Sequence, residues 1–251
     1  MKTGWIKIGW MALIFCWMSL SLTADRLVIA ISNDIPPYVT DQSKGGIEID
    51  IIKEALIHKG HTFNTIQCSY KELATAVKDK RADAAAGVRQ MDDSTFYSDY
   101  FIQFKNVAVT KKKNKIKLDK ITDLKDKSII TWQNAHRDLG PEFESLFSPS
   151  VEAPYIEKYK ELPVQADQVD MFWKDQAEVI IIDEIIFKWF SKKLSGLKKP
   201  DQEVVYHYLF PEITEFQLNF KDSRIRDDFN KGLKYIRDEG IYKEIIDCYI
   251  K

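Results

Sequence analysis

The chain has 251 residues, 45% of them apolar and 30% charged, and carries a formal net charge of −1. That composition is ordinary for a soluble globular protein and leaves room for one large domain or two small ones. It has no basic excess of the kind that binds nucleic acid or an acidic membrane surface.

The first 24 residues stand apart. Lys2 and Lys7 lead into an apolar run from Ile8 to Leu22 with no acidic residue, and Leu22-Thr23-Ala24 precede Asp25. A basic start, a short apolar core and a small residue predict a secretory signal peptide over residues 1–24. A membrane anchor would need about 20 apolar residues without a break. A lipoprotein signal at Cys16 is disfavoured by the bulky Ile14 and Phe15 before it. Cleavage removes two lysines and no acid, so Lys+Arg falls from 37 to 35 against 38 acids and the net charge becomes −3. Cys68 and Cys248 remain, either as a disulfide of an oxidising compartment or as two buried thiols.

Leu27 to Ile31 is a short apolar run stopped by Ser32-Asn33-Asp34 and Pro36-Pro37, which predicts a buried strand. After Gly45-Gly46, apolar residues at 47, 51, 52, 55 and 56 fit one helix face, with Gly60 as its C-terminal stop. Phe63 to Gln67 reads as the next strand. Ser69-Tyr70-Lys71-Glu72 is a capping-box pattern and predicts a helix from Tyr70 to about Lys80, and Asp83 to Val88 is a small-residue strand. Strands alternating with helices predict a parallel sheet with covering helices.

A second set follows Asn114. Ser128 to Trp132 is a strand candidate, and Asn134 is placed to cap a helix running through Phe143 to Phe147, with Pro141 as a break or kink. Val164 to Trp173 reads as a helix. Val179-Ile180-Ile181-Ile182 is a continuous apolar run, as in a strand buried on both faces, and Glu184 to Leu194 reads as the helix after it. Ile225, Phe229, Leu233 and Ile236 keep helical spacing up to Gly240, and Ile241, Ile245, Ile246 and Tyr249 resume it. The charged stretch Lys111 to Lys127, near the join of the two sets, reads as a solvated surface loop, with a docking patch for a membrane partner as the other reading.

Leu27-Val28-Ile29-Ala30 with Pro36-Pro37-Tyr38, Gly46-Ile47-Glu48-Ile49-Asp50, Tyr70-Lys71-Glu72-Leu73 with Asp83, Tyr97-Ser98-Asp99-Tyr100-Phe101, Asp123-Leu124-Lys125-Asp126-Lys127 and Ala177-Glu178-Val179 through Asp183 occur in one order. In that order they resemble the motifs of the family 3 extracellular solute-binding proteins, which serve amino-acid transporters. The resemblance implies a two-lobed α/β fold of the periplasmic-binding-protein type (type II) with a ligand cleft between the lobes. One lobe would hold residues 25–102 plus 216–251 and the other residues 103–215.

The same resemblance implies a site. Tyr38 and Tyr70 fall where the family has aromatic walls around the ligand. Asp183 falls where the family holds the ligand's ammonium group, although an aspartate there also suits an N-cap for the helix from Glu184. Trp132 to His136 matches a loop facing the cleft, with Trp132 as a cover and His136 as a donor at a helix start. The family's Thr-x-Glu-Arg segment is altered here, so Arg89 is the candidate to grip a carboxylate in its place.

The function expected is capture of an amino acid or related ligand by hinge closure, for an ABC transporter permease or a membrane receptor. The expected protein is a periplasmic monomer without cofactor, metal or nucleic-acid partner. Two other readings use the same scaffold, a dehydratase-type enzyme with Asp183 as general acid and a ligand-sensing module for a receptor.

Overall fold

The computed structural model describes residues 25–90, 93–194, 203–210 and 213–251, with the side chains of Tyr70, Lys71 and Leu194 outside that description. The expected signal peptide, residues 1–24, also lies outside the described residues. In chain order the first elements are β1 (Arg26–Ser32), α1 (Ile47–Ile57), β2 (Thr62–Cys68), α2 (Tyr70–Leu73), β3 (Ala84–Val88), β4 (Phe96–Tyr97) and β5 (Ile102–Phe104). The middle of the chain supplies β6 (Asn106–Lys111), β7 (Ile129–Trp132), α3 (Pro141–Phe147), β8 (Tyr159–Leu162), α4 (Gln165–Trp173), β9 (Val179–Asp183), α5 (Glu184–Leu194) and β10 (Val204–His207). The tail adds β11 (Thr214–Phe220), α6 (Ser223–Asp238) and α7 (Ile241–Ile250).

These strands make two sheets. The first has six strands in the order β2-β1-β3-β11-β4, with β5 beside β11. β1, β2 and β3 run parallel and β11 is antiparallel to its neighbours. The second has five strands in the order β10-β6-β9-β7-β8. The chain leaves the first sheet at Lys105, the single residue between β5 and β6, and returns between His207 and Thr214. Each sheet is covered by helices, which gives two α/β lobes side by side. One buried cluster reaches into both, from Ile29, Phe101 and Phe229 to Ile180, Ile182 and Phe187. A second, under β7 and β9, contains Leu124, Phe143, Phe147 and Ile181.

Three local expectations need correction. The helix from Tyr70 has its capping box but lasts only to Leu73. Beyond it the N–H groups of Thr75 and Ala76 bond three residues back, and Arg81 donates to the Glu72 carbonyl at 2.9 Å, so the chain continues as turns. The helix expected from Asn134 is divided into a 3-10 turn at Ala135–Arg137 and α3, which starts at Pro141. Proline lacks the N–H that the first helical position leaves unused, so it starts this helix rather than kinking one. The stretch from Lys111 to Lys127 is only partly a solvated loop. Leu118, Ile121 and Leu124 are buried, and Lys111, 6% exposed, donates to Asp175 at 2.6 Å. Cys68 is buried and Cys248 exposed, and both are free thiols.

The contact between α1 and α6 in the first lobe rests on a missing side chain. A Cβ at Gly232 of α6 would lie 1.9 Å from the Ala55 carbonyl oxygen of α1. Gly232→Ala is therefore expected to force the two helices apart, at about 1–3 kcal/mol. In a chain of this size that lowers the melting temperature by about 2–4 °C per kcal/mol. An unchanged melting curve would contradict this packing.

Candidate functional site

A cavity of about 370 Å³ opens between the two sheets. From the first lobe it is walled by Ile35, Arg89, Phe104 and Phe216, and from the second by Trp132, Asp138, Gln165 and Ile186. Asn106 and Asp183, paired across β6 and β9, line it where the chain crosses between lobes. The size lies in the range of small-molecule pockets, with apolar walls and a few polar groups. Strand ends supply the polar groups. Arg89 follows β3, Trp132 ends β7 and Asp183 ends β9, as expected for ligand positions in open α/β sheets.

Asp183 is 3% exposed and its carboxylate is met by four donors. Oδ1 accepts from the Tyr38 hydroxyl and from the N–H groups of Ile185 and Ile186, each at 3.0 Å. Oδ2 accepts from the Lys105 N–H at 2.8 Å. One side chain thus caps α5, fixes the crossing residue and reaches the loop after β1. Burial pushes its carboxyl up to about 6, against the opposing pull of these hydrogen bonds.

The sequence-derived residues separate at this point. Tyr38 is fully buried and is not among the residues lining the cavity. Its ring lies over Phe104 with centroids 4.1 Å apart, so Phe104 forms the wall and Tyr38 backs it. Burial, then the adjacent Asp183 carboxylate, raise its phenol well above the ordinary value. His136 is also behind the surface. It is 4% exposed, and its Nδ1 lies 2.9 Å from Glu161 Oε1. Glu161 also accepts from the Asn134 N–H at 2.8 Å and the Tyr159 hydroxyl at 2.7 Å. His136 therefore braces the loop after β7 rather than pointing into the cleft. The Tyr70 side chain is outside the described residues.

Arg89, Trp132 and Asp183 do share the cavity. Arg89 is exposed, its guanidinium lies 5.3 Å from the Phe216 ring centroid, and among the described residues it has no carboxylate partner. Trp132 is half-buried, and its indole N–H points to Asp138 Oδ2 at 3.4 Å. Sequence reading missed Asp138, an exposed carboxylate on the same wall, and the rings of Phe104 and Phe216. The signal for Phe216 was present, since Phe216, Leu218 and Phe220 alternate along β11. Asp138 lies two residues past the loop segment considered and had no such signal.

The family model for bacterial extracellular solute-binding proteins, family 3, matches residues 27–251. The chain belongs to this family. The arginine-binding extracellular protein ArtP of Bacillus subtilis (strain 168) is 24% identical over 226 residues, covering 86% of this chain and 82% of the relative. A solved ancestral cationic amino acid solute-binding protein superposes with a TM-score of 0.69 at 15% identity, over 90% of this chain and 96% of that one. A polar amino acid ABC uptake transporter substrate-binding protein from Streptococcus thermophilus gives a TM-score of 0.69 at 16% identity, over 90% and 86%. At these identities the solved structures establish the two-lobed type II fold. Among the described residues of this solute-binding protein, no helix is long and apolar enough to cross a membrane.

A second buried carboxyl lies at the start of α1. Glu48 is 5% exposed, no hydrogen bond to its carboxyl is found among the described residues, and burial pushes it up to about 7. A carboxyl raised on folding holds its proton longer in the folded state than in the unfolded one. Below the unfolded value of about 4 there is no penalty; stability then falls as pH rises through about 7. Glu48→Gln removes the charge without changing shape. It is expected to stabilise the protein at pH 8, by on the order of 3 kcal/mol at most, and to change little at pH 4. Urea melts at the two pH values check this, and an equal effect at both would contradict it.

Proposed function

We propose that this family 3 protein captures a free amino acid by closing its two lobes, and that amino acids with a cationic side chain fit best. The observation that carries the reading is one cleft holding an exposed cation and an exposed carboxylate on opposite lobes, Arg89 and Asp138. Arg89 serves the ligand's α-carboxylate, since a buried carboxylate needs a paired donor. Asp138 takes the ammonium group or a cationic side chain, with Trp132, Phe104 and Phe216 as faces for a cation. Asp183 adds a second negative group, so a ligand of charge +1 balances Arg89 and the two carboxylates. Two similar proteins, one arginine-binding and one a cationic amino acid solute-binding protein, point to the same ligand class.

The lobes turn about the two crossings, at Lys105 and between His207 and Thr214. Arginine and aspartate on facing lobes meet one ligand together only when the lobes close, so binding selects the closed state. Residues 1–24 direct export to the periplasm and are removed. The closed monomer is then read by an ABC transporter permease or, less directly, by a membrane receptor. Turnover has no place in this reading: a dehydratase would need Asp183 to pass a proton to the ligand, whereas its carboxyl faces Tyr38 and three main-chain N–H groups.

Calorimetric titration of residues 25–251 with L-arginine, L-lysine, L-glutamine and agmatine tests the reading. The basic amino acids are expected to bind, and agmatine, which lacks the carboxylate, to bind far more weakly. Arg89→Ala should cost about 1.5–3 kcal/mol, roughly ten- to a hundredfold in Kd. Equal binding of arginine and agmatine would remove Arg89 from its role. No binding of any amino acid would overturn the proposal.

A further inference from the structure

β2 is the outermost strand of the first sheet, and among the described residues it pairs only with β1. Its seven residues contain no proline and no charge, the usual devices that blunt an open edge. Beside it, Ile49, Lys53 and Ile57 recur every fourth residue on α1, which places them in one stripe along the helix. That stripe, with Phe63 and Thr65 of β2, walls a groove of about 490 Å³. Ile57 is 49% exposed there. No acidic residue lines the groove, and Lys44 and Lys53 at its rim have no ion-pair partner among the described residues. His61, at one end, is buried and occupied by Asp228, 3.1 Å away.

We propose that this groove is a docking slot for an extended acidic segment of a partner protein, which adds a strand to β2 alongside α1. The free main-chain groups of β2 supply the pairing, and the side chains that alternate along the added strand supply the selectivity. Apolar residues on one face meet Ile49, Ile57 and Phe63, and carboxylates reach Lys44 and Lys53. A second copy of this chain is a poor occupant. Its own β2 carries no acid, and edge-to-edge pairing would bring the lysines of both copies together. The slot is separate from the ligand cleft, because β1 stands between β2 and β3, whose end leads to Arg89.

A fluorescein-labelled peptide of seven residues, the length of β2, tests this, with glutamate and valine alternating. Polarisation titrations would compare it with a lysine–valine peptide, and hydrogen exchange would follow the β2 amides. The acidic peptide is expected to bind and to slow exchange along residues 62–68. Lys53→Glu should weaken it about tenfold and favour the lysine peptide instead, as an ion pair exchanged for a repulsion does. Equal binding of both peptides to the unmodified protein would overturn the proposal without reliance on any variant. So would binding without protection of β2, or ultracentrifugation showing that the unmodified protein self-associates through this edge.

Discussion

A buried carboxylate is costly unless donors replace the water it loses, and the centre of this molecule is arranged around one such group. Asp183 ends the most buried strand of the second lobe, and its four donors come from three separate places. Ile185 and Ile186 belong to the helix it caps, Lys105 is the crossing residue, and Tyr38 comes from the first lobe. A side chain satisfied in this way fixes the direction of α5 and the path between sheets at once. It also sets the wall of the cleft, because Tyr38, held by Asp183, backs the Phe104 ring.

That arrangement leaves other charged groups as the exposed ones in the cleft. The family pattern assigns the position of Asp183 to the ligand's ammonium group, yet here most of its accepting capacity is spent within the protein. The exposed carboxylate on the cleft wall is Asp138, 3.4 Å from the Trp132 indole nitrogen. The cation left open is Arg89, resting over Phe216. Both line the same cleft from opposite lobes, one behind β3 and one behind β7. The groove beside β2 is a different kind of surface, a main-chain edge beside a helix stripe of two isoleucines and Lys53.

Much of the scaffold was legible in the sequence because burial leaves periodic traces. The run Val179 to Ile182, buried on both faces, and the 3.6-residue spacing from Ile225 to Ile236 both mark elements that the structure contains. Short or half-covered strands left weaker traces. β5 has three residues and β10 four, too few for a period to register. The turn after α2 depends on Arg81 reaching a carbonyl nine residues back, which no local pattern encodes. The site was legible only in part for a related reason. Strand ends single out Arg89, Trp132 and Asp183 in the sequence, and all three line the cavity. Whether Tyr38 and His136 face a ligand or a buried partner is decided by Asp183 and Glu161, distant in the chain and adjacent in space.

The claim that binding and lobe closure are one event is tested most directly by small-angle X-ray scattering of residues 25–251, with and without saturating L-arginine. A smaller radius of gyration and a shorter maximum dimension on saturation, with no change on adding agmatine, is the expected result. Scattering curves that superimpose while calorimetry shows the site to be full would contradict capture by closure.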